Sequence, residues 1–127
     1  MEKRTLGYVT DSIIVFENMR GQTLAKIDLN AMPGKDRDTM FRRVGRTLRK
    51  LEASGFAHFD AKATNWIIQP DEKTGPMPIL IDVDGVRHYS WRGAGIDRLL
   101  RSMRDHSQYT PANSLALCQG YAPRAKL

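Results

Sequence analysis

The sequence predicts an α+β fold that is mainly α-helical, on three observations. Apolar residues recur at helical spacing between Asp36 and Ser54. A second, shorter helical pattern runs through "IDRLLRSMRDH", from Ile96 to His106. Between the two, a pair of short apolar runs flanks a polar turn, as in a β-hairpin. With 127 residues, 41% of them hydrophobic, the chain can build a core, and its length bounds it to one domain or one lobe of a larger one.

In chain order, "GYVTDSIIVFEN" holds the β-branched run Ile13-Ile14-Val15-Phe16, which predicts a buried strand. Gly21 marks a turn, followed by a short helical or irregular stretch that breaks at Pro33-Gly34. Met40, Val44, Leu48 and Leu51 then fall at i, i+4, i+8 and i+11 with charges between them. That pattern predicts an amphipathic helix of about five turns. Asp36 or Asp38 is suited to cap its start and Gly55 to end it. "NWIIQP" and "PILIDV" predict two strands joined through "DEKTGP". "VRHYSWRGAG" reads as loop. Ile96, Leu99, Leu100 and Met103 share one side of the following helix, and the tail from Tyr109 has two prolines and weak periodicity.

Composition narrows the function classes. No apolar run approaches the roughly 18 residues a membrane-spanning helix requires. "MEKRTLGYVTDS" lacks the apolar centre of a secretory signal. Cys118 is the only cysteine, so an intrachain disulfide is impossible and a cytoplasmic, reducing setting is expected. The net charge of +6 favours anionic partners: a nucleotide, nucleic acid or an anionic membrane face. Much of that charge sits in "RDTMFRRVGRTLRK", expected to be a solvated helix face. Without zinc spacing, a helix-turn-helix pattern or interleaved aromatics, nucleic acid is the least expected of these partners.

The chemistry-bearing residues lie in two stretches. "HFDAKATN", residues 58 to 65, contains His58, Asp60, Lys62 and Asn65. "PILIDVDGVR", residues 78 to 87, ends an apolar run in Asp82 and Asp84. Taken singly, each is an ordinary loop charge, turn residue or strand terminator. Together, H-x-D-x-K-x-x-N after a long helix and before a hairpin that ends in Asp resembles the catalytic loop and metal-binding Asp of the protein-kinase-like fold. Asp82 stands where the Asp of D-F-G stands, with Val83 for its Phe and Asp84 for its Gly. "IIVFENMRGQTL" is similar to the last small-lobe strand, the hinge and the start of the next helix. Within the superfamily the chain resembles the lipopolysaccharide kinases, which phosphorylate Kdo or heptose sugars. They carry an "IDFD"-like string and a helix similar to "RLLRSMR", here Arg98 to Arg104. The resemblance spans roughly residues 10 to 105.

The resemblance implies a kinase-like C-terminal lobe over residues 21–127. Residues 1–20 would form the end of a small lobe and its hinge, the rest of that lobe being largely absent, since no Gly-rich loop or phosphate-binding lysine strand precedes residue 10. It implies an ATP- and Mg²⁺-dependent phosphotransferase acting on a hydroxyl acceptor, a lipopolysaccharide core sugar in the first instance. A pseudokinase fragment with a binding role, a Ser/Thr-kinase-like enzyme and a small-molecule kinase are the alternatives. Asp60 would align or deprotonate the acceptor hydroxyl, and Lys62 would reach the γ-phosphate. Asn65 and Asp82 would supply hard oxygen ligands to the metal, with Asp84 as a further candidate. Lys62 and Asn65 would also contact the nucleotide, and Glu17 to Met19 would pair with the adenine edge in front of Phe16. His58 is expected to prop the loop rather than act as a base. Phe59 replaces the Arg of H-R-D, and no A-P-E follows, which suits a sugar or small-molecule acceptor over a peptide. Peripheral contact with the anionic inner membrane would present a glycolipid acceptor.

"DVDG" also suits two rivals. A dehalogenase-type phosphatase would need a following Rossmann-like sheet, and no convincing buried strand follows Gly85. A D-x-D glycosyltransferase site would need a preceding nucleotide-binding α/β half, which the sequence lacks.

Overall fold

The structure is a computed structural model that describes residues 21–88 and 93–122. The strand expected at Ile13–Phe16, the hinge at Glu17 to Met19 and the lobe boundary at residue 20 lie outside the described residues. Those that are described form an α+β unit, about half helical, with small antiparallel sheets. No described helix is long and apolar enough to cross a membrane.

The long helix, α1, spans Gly34–Ala53 and buries Met40, Phe41, Val44, Gly45 and Leu48. Three of the four expected stripe residues, Met40, Val44 and Leu48, are buried; Phe41 and Gly45 widen the stripe, and Leu51 is only half-buried. Its start differs from the expected cap. Pro33 holds the N-cap position without a side-chain bond, and Asp36 lies inside the first turn, where a carboxylate complements the positive helix end. The helix ends as expected at Gly55, which adopts φ +90°, a conformation that costs a residue with a Cβ. Its N–H bonds the Glu52 carbonyl at 2.9 Å.

The expected hairpin forms from two short strands. β1, Gln22–Thr23, lies at the edge of a three-stranded antiparallel sheet whose other members are β3, Trp66–Gln69, and β4, Met77–Leu80. β3 and β4 pair with Trp66 opposite Leu80 and Gln69 opposite Met77. Asn65 and Asp82 fall just outside the strands, in the turns that lead in and out. At the far end Asp71 closes the turn by accepting the Lys73 and Thr74 amides, which hold its carboxyl below the usual carboxylate range. Arg43 of α1 also reaches this turn and donates to the carbonyls of Thr74, Gly75 and Pro76. The basic face of α1 is thus not wholly solvated, since Arg43 is half-buried and ties the hairpin down.

Several elements depart from the sequence reading. "VRHYSWRGAG" begins with a strand rather than a loop. That strand, β5, Val86–His88, pairs antiparallel with β2, Phe56–His58. The tail from Tyr109 contains a helix, α3, Pro111–Tyr121, which follows α2, Ala94–Met103. α3 lies against α1 at van der Waals range of the two backbones. A Cβ placed on Gly120 would stand 1.9 Å from the Arg42 carbonyl oxygen, and one on Gly45 would stand 2.1 Å from the Leu117 carbonyl oxygen. The core fills the space between helices and sheet with Leu24, Leu29, Met40, Phe41, Val44, Leu48, Trp66, Leu99, Met103 and Leu117.

One carboxylate joins all three helices. Glu52, near the end of α1, accepts the Gly93 N–H at the start of α2 (3.0 Å) and the Tyr121 hydroxyl at the end of α3. Burial, then the hydrogen bond to Glu52 and its charge, push the Tyr121 phenol up to about 12. The native state therefore holds this proton more tightly than the unfolded chain does. Its contribution is complete below the usual tyrosine value near 10 and is lost as pH rises through about 12. Denaturation at stepped pH should show a fall in stability over that window which Tyr121→Phe flattens. Equal slopes in the two proteins would show that the Glu52 contact does not perturb the phenol.

Candidate active site

The site is built on the β2–β5 ladder. This pairing sets His58 opposite Val86 and closes a loop that begins at Phe59 and returns at Gly85. The Phe59 N–H bonds the Gly85 carbonyl at 2.8 Å, so the two ends are pinned. His58 is 1% exposed, and its ring sits between them. Its Nδ1 accepts the Asp60 N–H at 3.1 Å, and its Nε2 lies 3.2 Å from the Ile81 carbonyl oxygen. Because Nδ1 accepts, Nε2 carries the proton and donates to Ile81. Both nitrogens are committed to the backbone, which matches the prop expected from the sequence. Gly85 is packed so closely here that a Cβ would lie 2.6 Å from His58 Cε1 and 3.2 Å from Asp60 Cβ.

Asn65 makes the next connection. Its Nδ2 donates to the Asp60 carbonyl at 2.7 Å and lies 3.4 Å from Asp60 Oδ2. Its own carbonyl accepts the Ile81 N–H at 2.8 Å. The loop and the strand that precedes Asp82 are therefore joined twice, through His58 and through Asn65. Trp66, fully buried, donates its indole N–H to the Ala61 carbonyl, and Ser102 of α2 accepts the Ala63 N–H at 2.8 Å.

The candidate side chains project from this frame. The Asp60 carboxylate is 38% exposed and lies between two cations. Lys62 Nζ is 3.6 Å from Oδ2 and Arg98 Nη2 is 3.6 Å from Oδ1. Arg98 was not among the residues the sequence singled out for the site. It sits on α2, far along the chain, and no local motif connects it to Asp60. Asp82 is exposed and adopts φ +67°, the left-handed region that a non-glycine residue rarely takes. Its carboxylate has no ion pair or hydrogen bond among the described residues. Asp84 is exposed in the short 3-10 turn Val83–Gly85, and its carbonyl accepts from Arg87. Glu17 and Met19 lie outside the described residues.

An open cleft of about 520 Å³, floored by Ile27, Met32 and Ile68, lies beside β1 and the β3–β4 turn. None of the motif residues lines it, and its rim residues Asp28 and Asp71 are engaged with local amides.

A family model described as "Lipopolysaccharide kinase (Kdo/WaaP) family" matches residues 1–121. The chain belongs to the lipopolysaccharide kinase (Kdo/WaaP) family. The match runs past the resemblance read from the motifs and takes in α3 at the chain's far end. A comparison with curated proteins finds no match. Membership supports a kinase, and so a transferase, of the lipopolysaccharide type.

The site's donor set fits a magnesium ion of the kind that accompanies ATP. No group of three or more His, Cys, Asp and Glu gathers among the described residues. Mg²⁺ does not require one, because it keeps several waters and is bound through one or two carboxylates plus substrate phosphates. With its Nδ2 given to Asp60, Asn65 retains an amide oxygen that no described residue engages. That oxygen and the unpaired Asp82 carboxylate are both hard donors.

Proposed function

We propose that this member of the lipopolysaccharide kinase family transfers the γ-phosphate of ATP to a hydroxyl of a lipopolysaccharide core sugar. The observation that carries this reading is the double connection between "HFDAKATN" and the "IDVD" strand end, through His58 to Ile81 and through Asn65 to both Asp60 and Ile81. Asp60 lies between two cations, while the Asp82 carboxylate is unpaired among the described residues. Phosphoryl transfer calls for that division, since it depends on positioning and charge neutralisation.

In the proposed mechanism Asp60 accepts the hydrogen bond of the acceptor hydroxyl and aims it at the phosphorus. Lys62 offsets charge on the transferring oxygens. Asn65 and Asp82 would hold the metal, and Asp84, two residues beyond Asp82, would assist. Bound Mg²⁺ would supply neutralisation of the phosphate charge. His58 keeps the loop in register throughout. The fold is proposed to be a kinase C-terminal lobe, and the enzyme to act in the cytoplasm at the anionic face of the inner membrane, which the +6 charge would favour.

Calorimetric titration with ATP tests the metal assignment. Binding should require Mg²⁺ and should weaken in Asp82→Asn by on the order of tenfold or more, about 1.4 kcal/mol. Equal affinity in the two proteins would remove Asp82 from the metal site. Transfer of label from γ-labelled ATP to deacylated lipopolysaccharide core oligosaccharide tests the acceptor.

A further inference from the structure

Asp60 has a second cation beside it that does not belong to its own loop. Lys62 approaches Oδ2 and Arg98 approaches Oδ1, each at 3.6 Å. The two are anchored differently. Lys62 leads into the 3-10 turn Ala63–Asn65, and its side chain is 40% exposed. Arg98 stands on α2, whose Leu99 and Met103 are fully buried. The first turn of α2 lies flush on the site. A Cβ on Gly95 would stand 2.9 Å from Leu48 Cδ2 and 3.4 Å from the His58 carbonyl oxygen. Ser102 fastens the next turn to the loop through the Ala63 N–H, and Glu52 holds the Gly93 N–H at the helix start. Three contacts thus fix the base of Arg98 relative to Asp60. The neighbouring cation on the helix, Arg101, pairs with Asp97 at 3.1 Å, so Arg98 is the cation of this helix that Asp60 engages.

We infer that Arg98 is a positioning residue that holds the Asp60 carboxylate by Oδ1, so that Oδ2 stays directed at the acceptor when Lys62 turns to the phosphate. This rests on the proposed kinase reading for its purpose, though not for its geometry. Lys62 is a flexible point charge that is required at the γ-phosphate in that reading. A carboxylate held by Lys62 alone would lose its anchor as ATP binds. Arg98 offers a planar, pre-organised fork from a fixed helix and need not move. The exposed pair contributes little to stability, in the range of about 0–1 kcal/mol, so its worth lies in orientation.

The test has a ligand-free arm and a kinetic arm. In the first, the side-chain amide NMR signals of Asn65, whose Nδ2 touches Asp60 O and Oδ2, report the carboxylate's placement. Arg98→Met should shift or broaden them, Arg98→Lys should restore them in part, and Lys62→Met should leave them near the wild-type positions. Unchanged signals in Arg98→Met, or an equal change in Lys62→Met, would overturn the inference. In the second arm, γ-labelled ATP and deacylated core oligosaccharide are used with the full chain. Arg98→Met should lower kcat by roughly ten- to a hundredfold with KM for ATP within twofold, as for loss of an interaction made only in the transition state. A rise in KM with kcat unchanged would make Arg98 a binding residue and overturn the positioning role. Absence of turnover in the wild type would count against the kinase reading alone, and the NMR arm would still decide the placement of Asp60.

Discussion

Asp60→Asn is expected to lower phosphotransfer to the core oligosaccharide by about 10²–10⁴-fold while leaving ATP binding and the fold in place. The substitution is nearly isosteric. The two shorter scaffold bonds of this residue run through its backbone, with the N–H on His58 and the carbonyl on Asn65, and both survive; the longer 3.4 Å contact of Asn65 Nδ2 with Oδ2 is one that an amide oxygen can also accept. What changes is the functional oxygen pair. An amide cannot take the hydroxyl proton, and it presents an NH₂ to one of the two neighbouring cations, Lys62 or Arg98. The melting temperature should move little, because pairs this exposed are worth about 0–1 kcal/mol each. The measurement is kcat for transfer from γ-labelled ATP, beside a thermal melt of the same preparation. Turnover within threefold of wild type would remove Asp60 from the reaction. A large fall in melting temperature would instead mean that the carboxylate holds the loop together.

The elements whose side chains repeat at a recognisable period were legible in the sequence. α1 shows through Met40, Val44 and Leu48, α2 through Leu99 and Met103, and β3 and β4 through their apolar runs. "HFDAKATN" stood out for a different reason, since the types and spacing of His58, Asp60, Lys62 and Asn65 resemble a kinase catalytic loop. The missed elements share a physical cause. β2 and β5 are three residues each, too short for alternation to register, and they are held by each other rather than by an apolar face. The buried side of α3 consists of Asn113, Ala116, Leu117 and Gly120, so it has almost no hydrophobic stripe. Its signal lay in its first turn, where Thr110 caps the Asn113 N–H, the Asn113 side chain accepts the Thr110 N–H, and Pro111 occupies the first helical position. Arg98 was invisible as a site residue because its relation to Asp60 exists only after α2 packs on Leu48 and His58.

The packing of α3 yields the largest stability effect expected, from the smallest substitution. Gly120→Ala adds one methyl group, and helix propensity alone would make that change stabilising by up to about 1 kcal/mol. Packing argues for the opposite sign. The new Cβ would meet the carbonyl oxygen of Arg42 at 1.9 Å, with the Arg42 carbonyl carbon at 2.6 Å. These are backbone atoms of α1 and cannot rotate aside, so α1 and α3 must separate. Separation strips contacts from Leu117 and Ala116 on one side and Phe41 and Val44 on the other. A cost of about 3 kcal/mol is expected, a large part of the 5–15 kcal/mol that holds a domain together. Gly45→Ala meets Leu117 and Tyr121 in the same seam and should cost a similar amount. The double variant should cost less than the sum, because one separation of the helices relieves both clashes. Urea denaturation of the three variants checks all of this, and a stabilised Gly120→Ala would show that the helices do not approach so closely. The same separation should reach the site. Tyr121 and Gly93 share Glu52, so moving α3 loosens the start of α2 and with it the base of Arg98. In Gly120→Ala, the Asn65 side-chain amide signals should therefore begin to change at urea concentrations below the midpoint for global unfolding. Strict coincidence of the two transitions would mean that the glycine seam supports the fold without tuning Asp60.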